Sequence, residues 1–258
     1  MSLIKLLHKP GLIVMRGALE QVNEHCHHVL QVVFNLSSQS NKNTAYFSVD
    51  SNELNCAGVI IAPDTVHRVE AVSCLIFLIE AESHLAKRLA KRYLDNNNFH
   101  CLSKEIIAPL IPNKLNMDFT WEFVEVFLKL LDVSTCMGRQ LQPRLQKIIE
   151  WFDEIDLKGI WQEVSLSKAL DIVHLSESRF LHLFVEEFEI TWRRYILWRR
   201  LLASIKYALS GQSLTVSAQH AGFSDSAHLS RVFKEMFGMT PSSIISKIQS
   251  EQINQPAR

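Results

Sequence analysis

Two groups of residues could do chemistry. His25, His27 and His28 fall within four positions, Gln31 follows, and His67 comes after Pro63-Asp64-Thr65-Val66. On a strand, side chains two apart point to the same face. His25 and His27 would therefore share a face, and His67 from another strand could complete three nitrogen donors for a metal. Three readings stay open: structural histidines at a sheet or barrel mouth, an effector pocket that uses some of them, or a metal site.

The second group lies late in the chain. The protein has 258 residues, with 27 Lys+Arg against 27 Asp+Glu. That balance hides a segment, residues 190–247, with eight basic and two acidic residues, net +6. Residues 139–189 are net −4, with six basic and ten acidic. Local charge bears on nucleic-acid binding more than the sum does, although charge alone describes a solvated helix face equally well. Within the basic segment, Leu214–Ala221 predicts a short helix, Gly222-Phe223-Ser224-Asp225 a turn, and Ser226–Phe237 a second helix. Gly222 suits the tight reversal because it has no Cβ to clash at positive φ. Ser224 or Asp225 can cap the second helix and leave its amino end open to a phosphate. Leu229, Val232, Phe233 and Met236 would face inward. Ser226, Ala227, His228, Ser230, Arg231 and Lys234 would face outward, with Arg231 suited to a guanine edge and Lys234 to a phosphate.

The elements that must position these groups divide by period. Short apolar runs at Leu12–Met15, Val29–Phe34, Ala45–Val49, Gly58–Ala62 and Val72–Ile79, separated by breakers, predict a small antiparallel β-barrel or sandwich. Near Glu82 the period becomes helical, with Leu85, Leu89 and Tyr93 four apart and Asp95–Asn98 as the closing turn. A helix over Asp118–Leu131 carries a Phe119, Phe123, Phe127 stripe, which serves either core packing or pairing with a second subunit. After a joint at Asp132–Gln142 the pattern stays helical: Arg144–Ile155, Leu166–Val173, Ser178–Glu187, Thr191–Leu209, Thr215–Ala221, Ala227–Phe237 and Ser242–Ser250. That makes a compact all-α domain. Leu166–Val173, the turn His174-Leu175-Ser176 and Glu177–Glu187 repeat the helix-turn-helix layout. Thr191–Leu209 bridges the two units and carries Arg193, Arg194, Arg199 and Arg200. The five cysteines show no CxxC pairing and read as reduced thiols. No apolar run is long enough for a membrane span or a signal peptide, so a cytoplasmic protein is expected.

The stretches Tyr195-Ile-Leu-Trp-Arg-Arg-Leu-Leu-Ala203 and Ala218-Gln-His-Ala-Gly-Phe-Ser-Asp-Ser-Ala-His-Leu-Ser-Arg-Val-Phe-Lys-Glu-Met-Phe-Gly-Met-Thr-Pro241 resemble the AraC/XylS family of bacterial transcription regulators. The likeness extends over about Arg144–Ile248 and is weaker in the first unit, where Leu166, Ser176, Arg179, Leu183, Phe184, Glu187 and Tyr195 fit. His174 and Glu189 stand where the family usually has glycine, and Val185 and Glu186 replace common basic residues. The resemblance implies base reading by Ser178, Leu181 and His182 in the first unit and by Ser226, Ala227, His228, Ser230 and Arg231 in the second. Arg179, Arg193, Arg194 and Lys234 complete the implied DNA-binding set. The first reading helix is acidic, so the second unit and the bridging helix are expected to supply most of the salt-sensitive affinity.

The histidine spacing resembles a cupin barrel, with Gln31 near the place of the usual glutamate, and family members commonly bind a small effector in such a domain. The expected architecture is two-domain: a cupin-like sensor at 1–95, linker and dimerisation helices at 96–140, and a double helix-turn-helix DNA-binding domain at 141–258. His25, His27, Gln31 and His67 are the effector-pocket candidates, and His25, His27 and His67 the metal candidates. No cofactor and no catalysis are expected. Double-stranded DNA, a small effector, a second copy of the chain and RNA polymerase are the implied partners. The rival readings are a metal-dependent cupin enzyme with an appended helical domain, and a protein-interaction module.

Overall fold

A computed structural model describes residues 5–9, 11–19, 23–37, 45–107, 118–131, 142–188, 190–237, 240–243 and 245. Glu189, most of the predicted Asp132–Gln142 joint and most of the predicted Ser242–Ser250 helix lie outside them. The chain divides into two compact units, residues 1–135 and 136–258, except that Glu235–Gly238 group with the first. The N-terminal unit is an antiparallel sheet domain and the C-terminal unit is helical. No helix among the described residues is long and apolar enough to cross a membrane.

The sheet consists of β1 (Lys5–Lys9), β2 (Leu12–Leu19), β3 (Val29–Asn35), β4 (Ala45–Val49), β5 (Asn52–Leu54), β6 (Gly58–Ile61), β7 (His67–Glu80) and β8 (Phe99–Leu102). Its order is β1-β2-β7-β3-β6-β8, with β4 paired to β7 and β5. β7 is the spine. β2 runs along one edge from Leu12↔Ile79 to Leu19↔Ala71. Along the other edge β3 pairs from Val29↔Glu80 to Asn35↔Cys74, and β4 continues from Ala45↔Ala71 to Val49↔His67. Among the described residues no pairing joins β1 to β8, so the barrel expected from sequence is a sheet that hydrogen bonds do not close.

Three strands were not legible in the sequence. β1 and β5 are short and polar, and β8 (Phe-His-Cys-Leu) lies past the predicted change to helix yet pairs with β6. Asp50 and Ser51, at φ 47° and 64°, make the two-residue loop between β4 and β5. Two left-handed residues match the twist of a tight hairpin.

One face of the sheet holds Leu12, Val14, Leu30, Val32, Phe34, Ile60, Leu75, Phe77 and Ile79, and two helices cover it. α1 (His84–Leu89) starts on Ser83, whose Oγ accepts the Ala86 N–H at 3.1 Å, and runs on as a π-helical turn to Leu94. α2 (Lys104–Ile107) is a single short turn. α3 (Trp121–Leu130), capped by Thr120, buries Phe123, Val124, Phe127 and Leu128. The Phe127 ring meets Phe34 at 5.1 Å. The phenylalanine stripe is therefore spent within the chain, where each buried ring contributes roughly 1.5–3 kcal/mol. Phe123 and Phe127 are not left free to pair with a second subunit.

The helical unit contains α4 (Pro143–Lys158), a 3₁₀ turn (Trp161–Glu163), α5 (Leu166–Val173), α6 (Glu177–Phe188), α7 (Trp192–Leu209), α8 (Leu214–His220) and α9 (Ser226–Phe237). Its centre is aromatic: Phe152 stacks on Trp161, Trp192 and Tyr195 at 5.5 to 5.6 Å. Hydroxyls cap four helices: Ser165 on α5, Ser176 on α6, Thr191 on α7 and Ser213 on α8.

His174 closes α5 at φ 51°, donating its N–H to Leu170 O at 2.9 Å. A left-handed non-glycine residue costs roughly 1–2 kcal/mol. A β-branched side chain fits that region worst. We expect His174→Val to lower the melting temperature of this unit and His174→Gly to hold or raise it, since relief of the left-handed strain offsets the entropy that glycine gains in the unfolded chain. Differential scanning calorimetry of the two variants checks the order; a Val variant as stable as the Gly variant would contradict it.

Candidate nucleic-acid interface and histidine cluster

Gln31 lies on β3 opposite Ile61 of β6 and Leu78 of β7, on the sheet face away from α1 and α3. A buried amide on an apolar face needs partners. Two histidine nitrogens face it: Gln31 Oε1 lies 2.7 Å from His27 Nε2 and 3.0 Å from His67 Nε2. His25 joins them through a two-way backbone bridge to His67 at 2.9 and 3.0 Å. The ring centroids of His25 and His67 are 4.5 Å apart, and those of His27 and His67 4.8 Å. All three rings donate Nδ1–H to backbone carbonyls, at Asn23, Val29 and Thr65. Burial pushes His27 down to about 4 and His67 down to about 3, so both rings are neutral at pH 7. The fold thus brings together all four residues singled out by spacing. His28 lies apart, with Nδ1 3.2 Å from Asp64 Oδ2.

In the helical unit, α8 ends on two backbone bonds, Gly222 N–H to Gln219 O at 3.0 Å and Phe223 N–H to Ala218 O at 2.9 Å. Gly222 has φ 80°, and a Cβ there would lie 3.0 Å from Trp161 C and O and from Arg200 Nε. α9 begins on Asp225, whose Oδ1 accepts the His228 N–H at 2.7 Å. That bond holds the Asp225 carboxyl below its usual range. The amino end of α9 therefore already holds a carboxylate, on one of the two cap residues that the sequence offered. His228 Nδ1–H donates to Ser224 Oγ at 3.1 Å, and Ser224 donates to Asp225 Oδ2 at 3.1 Å. With Nδ1 donating, the neutral form of this ring offers Nε2 as an acceptor. α6 begins on Ser176, which accepts the Arg179 N–H at 3.4 Å.

Residues 170–246 match a family model described as a helix-turn-helix domain. These residues are a helix-turn-helix domain. A probable transcriptional regulator, LumQ, from Photobacterium leiognathi is 32% identical over 123 residues, 42% of this chain. The chain spans about half the length of that relative, 50%. Among solved structures, ToxT from Vibrio cholerae is similar at 14% identity over 93% of this chain and 99% of its own, with a TM-score of 0.48. A regulator with an AraC-type DNA-binding domain from Chromobacterium violaceum is similar at 21% identity over 45% of this chain and 96% of its own, with a TM-score of 0.36.

In the helix-turn-helix domain, α9 buries Leu229, Phe233, Met236 and Phe237, and α6 buries Phe180, Leu183 and Phe184. Ser178, Arg179, His182, Ala227, Arg231 and Lys234 are exposed; Leu181, Ser226, His228 and Ser230 are half-buried. On α7, Arg193 is exposed and Arg194 half-buried. Two arginines expected to add electrostatic affinity are spent inside the fold. Arg199 pairs with Asp156 at 2.6 Å and Asp153 at 3.5 Å, over the rings of Phe152 and Trp161. Arg200 donates to Trp161 O at 3.2 Å, beneath Gly222. The charge count of the bridging helix could not reveal this, because the partners, an α4 carboxylate for Arg199 and the Trp161 carbonyl for Arg200, lie 43 and 39 residues earlier.

Proposed function

We propose that the chain is a sequence-specific DNA-binding transcription regulator, acting in the cytoplasm without catalysis, whose N-terminal sheet domain holds a small effector. The supporting observation is a pair of capped helix-turn-helix units whose second helices, α6 and α9, bury their aromatic faces; α9 exposes Ala227, Arg231 and Lys234, and α6 exposes Ser178, Arg179 and His182 beside Glu177 and Glu186. Such helices read base edges from the major groove, and two in one chain engage successive turns about 34–36 Å apart. In this reading Ser178, Leu181 and His182 of α6 and Ser226, Ala227, His228, Ser230 and Arg231 of α9 face bases. Arg179, Arg193, Arg194 and Lys234 hold phosphates. His228, with Nε2 accepting, suits the exposed amine of adenine or cytosine.

The division we propose is a sensor at 1–95 extended to β8, a linker to about 140, and a DNA-binding domain at 141–258. His25, His27, Gln31 and His67 are its effector residues. Effector binding shifts the population of forms that can engage DNA. A second copy of the chain and RNA polymerase are the protein partners.

In-vitro selection from random duplexes with the full chain is expected to enrich a two-part motif. On that motif Arg231→Ala should cost about 1–3 kcal/mol and relax preference at one base pair. Lys234→Ala should weaken all sequences alike and reduce the salt slope by about one. Fluorescence anisotropy at several salt concentrations separates the two. A uniform loss with Arg231→Ala would make it a phosphate contact, and absence of any enrichment would favour the protein-interaction reading.

A further inference from the structure

In the neutral form, each of His25, His27 and His67 spends its one ring proton on a backbone carbonyl. Three Nε2 lone pairs remain, and the donor atoms of the three rings lie within 4.8 Å of one another. Two of those lone pairs meet Gln31 Oε1 at 2.7 and 3.0 Å. An amide oxygen and two imidazole lone pairs are three acceptors with no proton among them. Such contacts are repulsive unless a positive centre sits between them, or unless the amide turns to offer its NH₂ to both rings.

We propose that the positive centre is a divalent transition-metal ion, held by Nε2 of His25, His27 and His67 with Oε1 of Gln31. The donor chemistry fits. Carbonyl-held Nδ1–H groups fix ring tautomer and orientation as they do around bound metals. A set with no carboxylate and no thiolate favours Zn²⁺, Ni²⁺ or Cu²⁺ over Mg²⁺ and Ca²⁺. With Zn–N distances of about 2.0–2.1 Å, each ring moves inward by roughly half to one ångström to reach a common ion. Cys26 is exposed and is not part of the set. The metal is then the effector of the sensor domain, a step that rests on the regulator reading, whereas metal binding itself does not.

The test uses the full chain, free of any histidine tag and stripped with a chelator. Isothermal titration with Zn²⁺ is expected to give one ion per chain. Co²⁺ should develop visible d–d bands without a thiolate charge-transfer band. His67→Ala should weaken binding by roughly 100-fold or more, since loss of a supporting partner alone costs about 10–100-fold. Gln31→Glu should tighten binding by about tenfold or more, because a carboxylate is the better ligand. A turned amide serving only structure predicts no such gain.

No saturable binding by a folded chain overturns the site, as does binding that neither variant alters. DNA affinity measured with and without Zn²⁺ separates the two readings. Metal that binds and leaves DNA affinity unchanged removes its effector role and keeps the site. A chain that binds no metal, yet whose DNA affinity responds to another compound, removes the site and keeps the sensor.

Discussion

Gly222→Ala is expected to destabilise the helical unit by about 2–4 kcal/mol, combining a left-handed strain of about 1–2 kcal/mol with a steric term. The residue sits at φ 80° in the turn between α8 and α9. Its new Cβ would press on backbone atoms, Trp161 C and O, at 3.0 Å. Backbone cannot swing aside as a side-chain end can. Trp161 is fully buried and stacked on Phe152, so the 3₁₀ turn that carries it must shift or α8 must tilt. The fold supplies its own control. Gly211 has φ 91° but open space around its Cβ position. Gly211→Ala therefore carries the strain alone, about 1–2 kcal/mol. At about 4–8 °C per kcal/mol for a unit near this size, the two variants should differ by several degrees in melting temperature. Equal losses would mean that the turn absorbs the clash and that Gly222 matters only for its φ. Because this turn sets the angle of α9, DNA affinity should fall with Gly222→Ala even below the melting temperature.

Legibility followed the range of the interactions. The helix-turn-helix units could be read because their rules are local: Ser176 lies three residues before the Arg179 N–H it accepts, Asp225 three before His228, and Gly222 sits in the reversal itself. The histidine cluster could be read in part. Spacing puts His25 and His27 on one strand face, whereas the fold holds both just ahead of β3, His25 on an isolated bridge to His67. The meeting of His27 and His67 on one amide depends on β3 and β7 being sheet neighbours. β8 was invisible because four residues, Phe-His-Cys-Leu, carry too little pattern to outweigh the helices on either side. The misjudged arginines show the limit most directly. Arg199 and Arg200 fall in the same basic run as Arg193, and only tertiary contacts to α4 and to Trp161 divide the structural ones from the exposed one.

Those contacts carry the second large prediction, which concerns Asp156 on α4. Its Oδ1 accepts the Trp161 indole N–H at 2.7 Å and its Oδ2 accepts Arg199 at 2.6 Å. One carboxylate thus ties α4 to the 3₁₀ turn and to α7. Removing one partner of a buried pair costs about 3–5 kcal/mol, mostly because the other charge is stranded. Here the Asp156 side chain keeps 31% of its exposure and Arg199 keeps 13%, and Asp153 at 3.5 Å offers partial relief. We therefore expect Asp156→Ala to cost about 2–3 kcal/mol, below the fully buried range. Asp156→Asn retains an acceptor for Trp161 but not the charge for Arg199, so it should cost less than Ala and more than nothing. Arg199→Met, which keeps the apolar stem over Phe152 and Trp161 but strands no charge, should be milder than Asp156→Ala. Urea unfolding of the three single variants and of the Asp156→Ala, Arg199→Met double variant decides it. A double variant no worse than Asp156→Ala alone is the expected sign of a shared interaction. Additive losses would mean that Asp156 and Arg199 act separately, and that the ion pair is incidental to the stability of the DNA-binding unit.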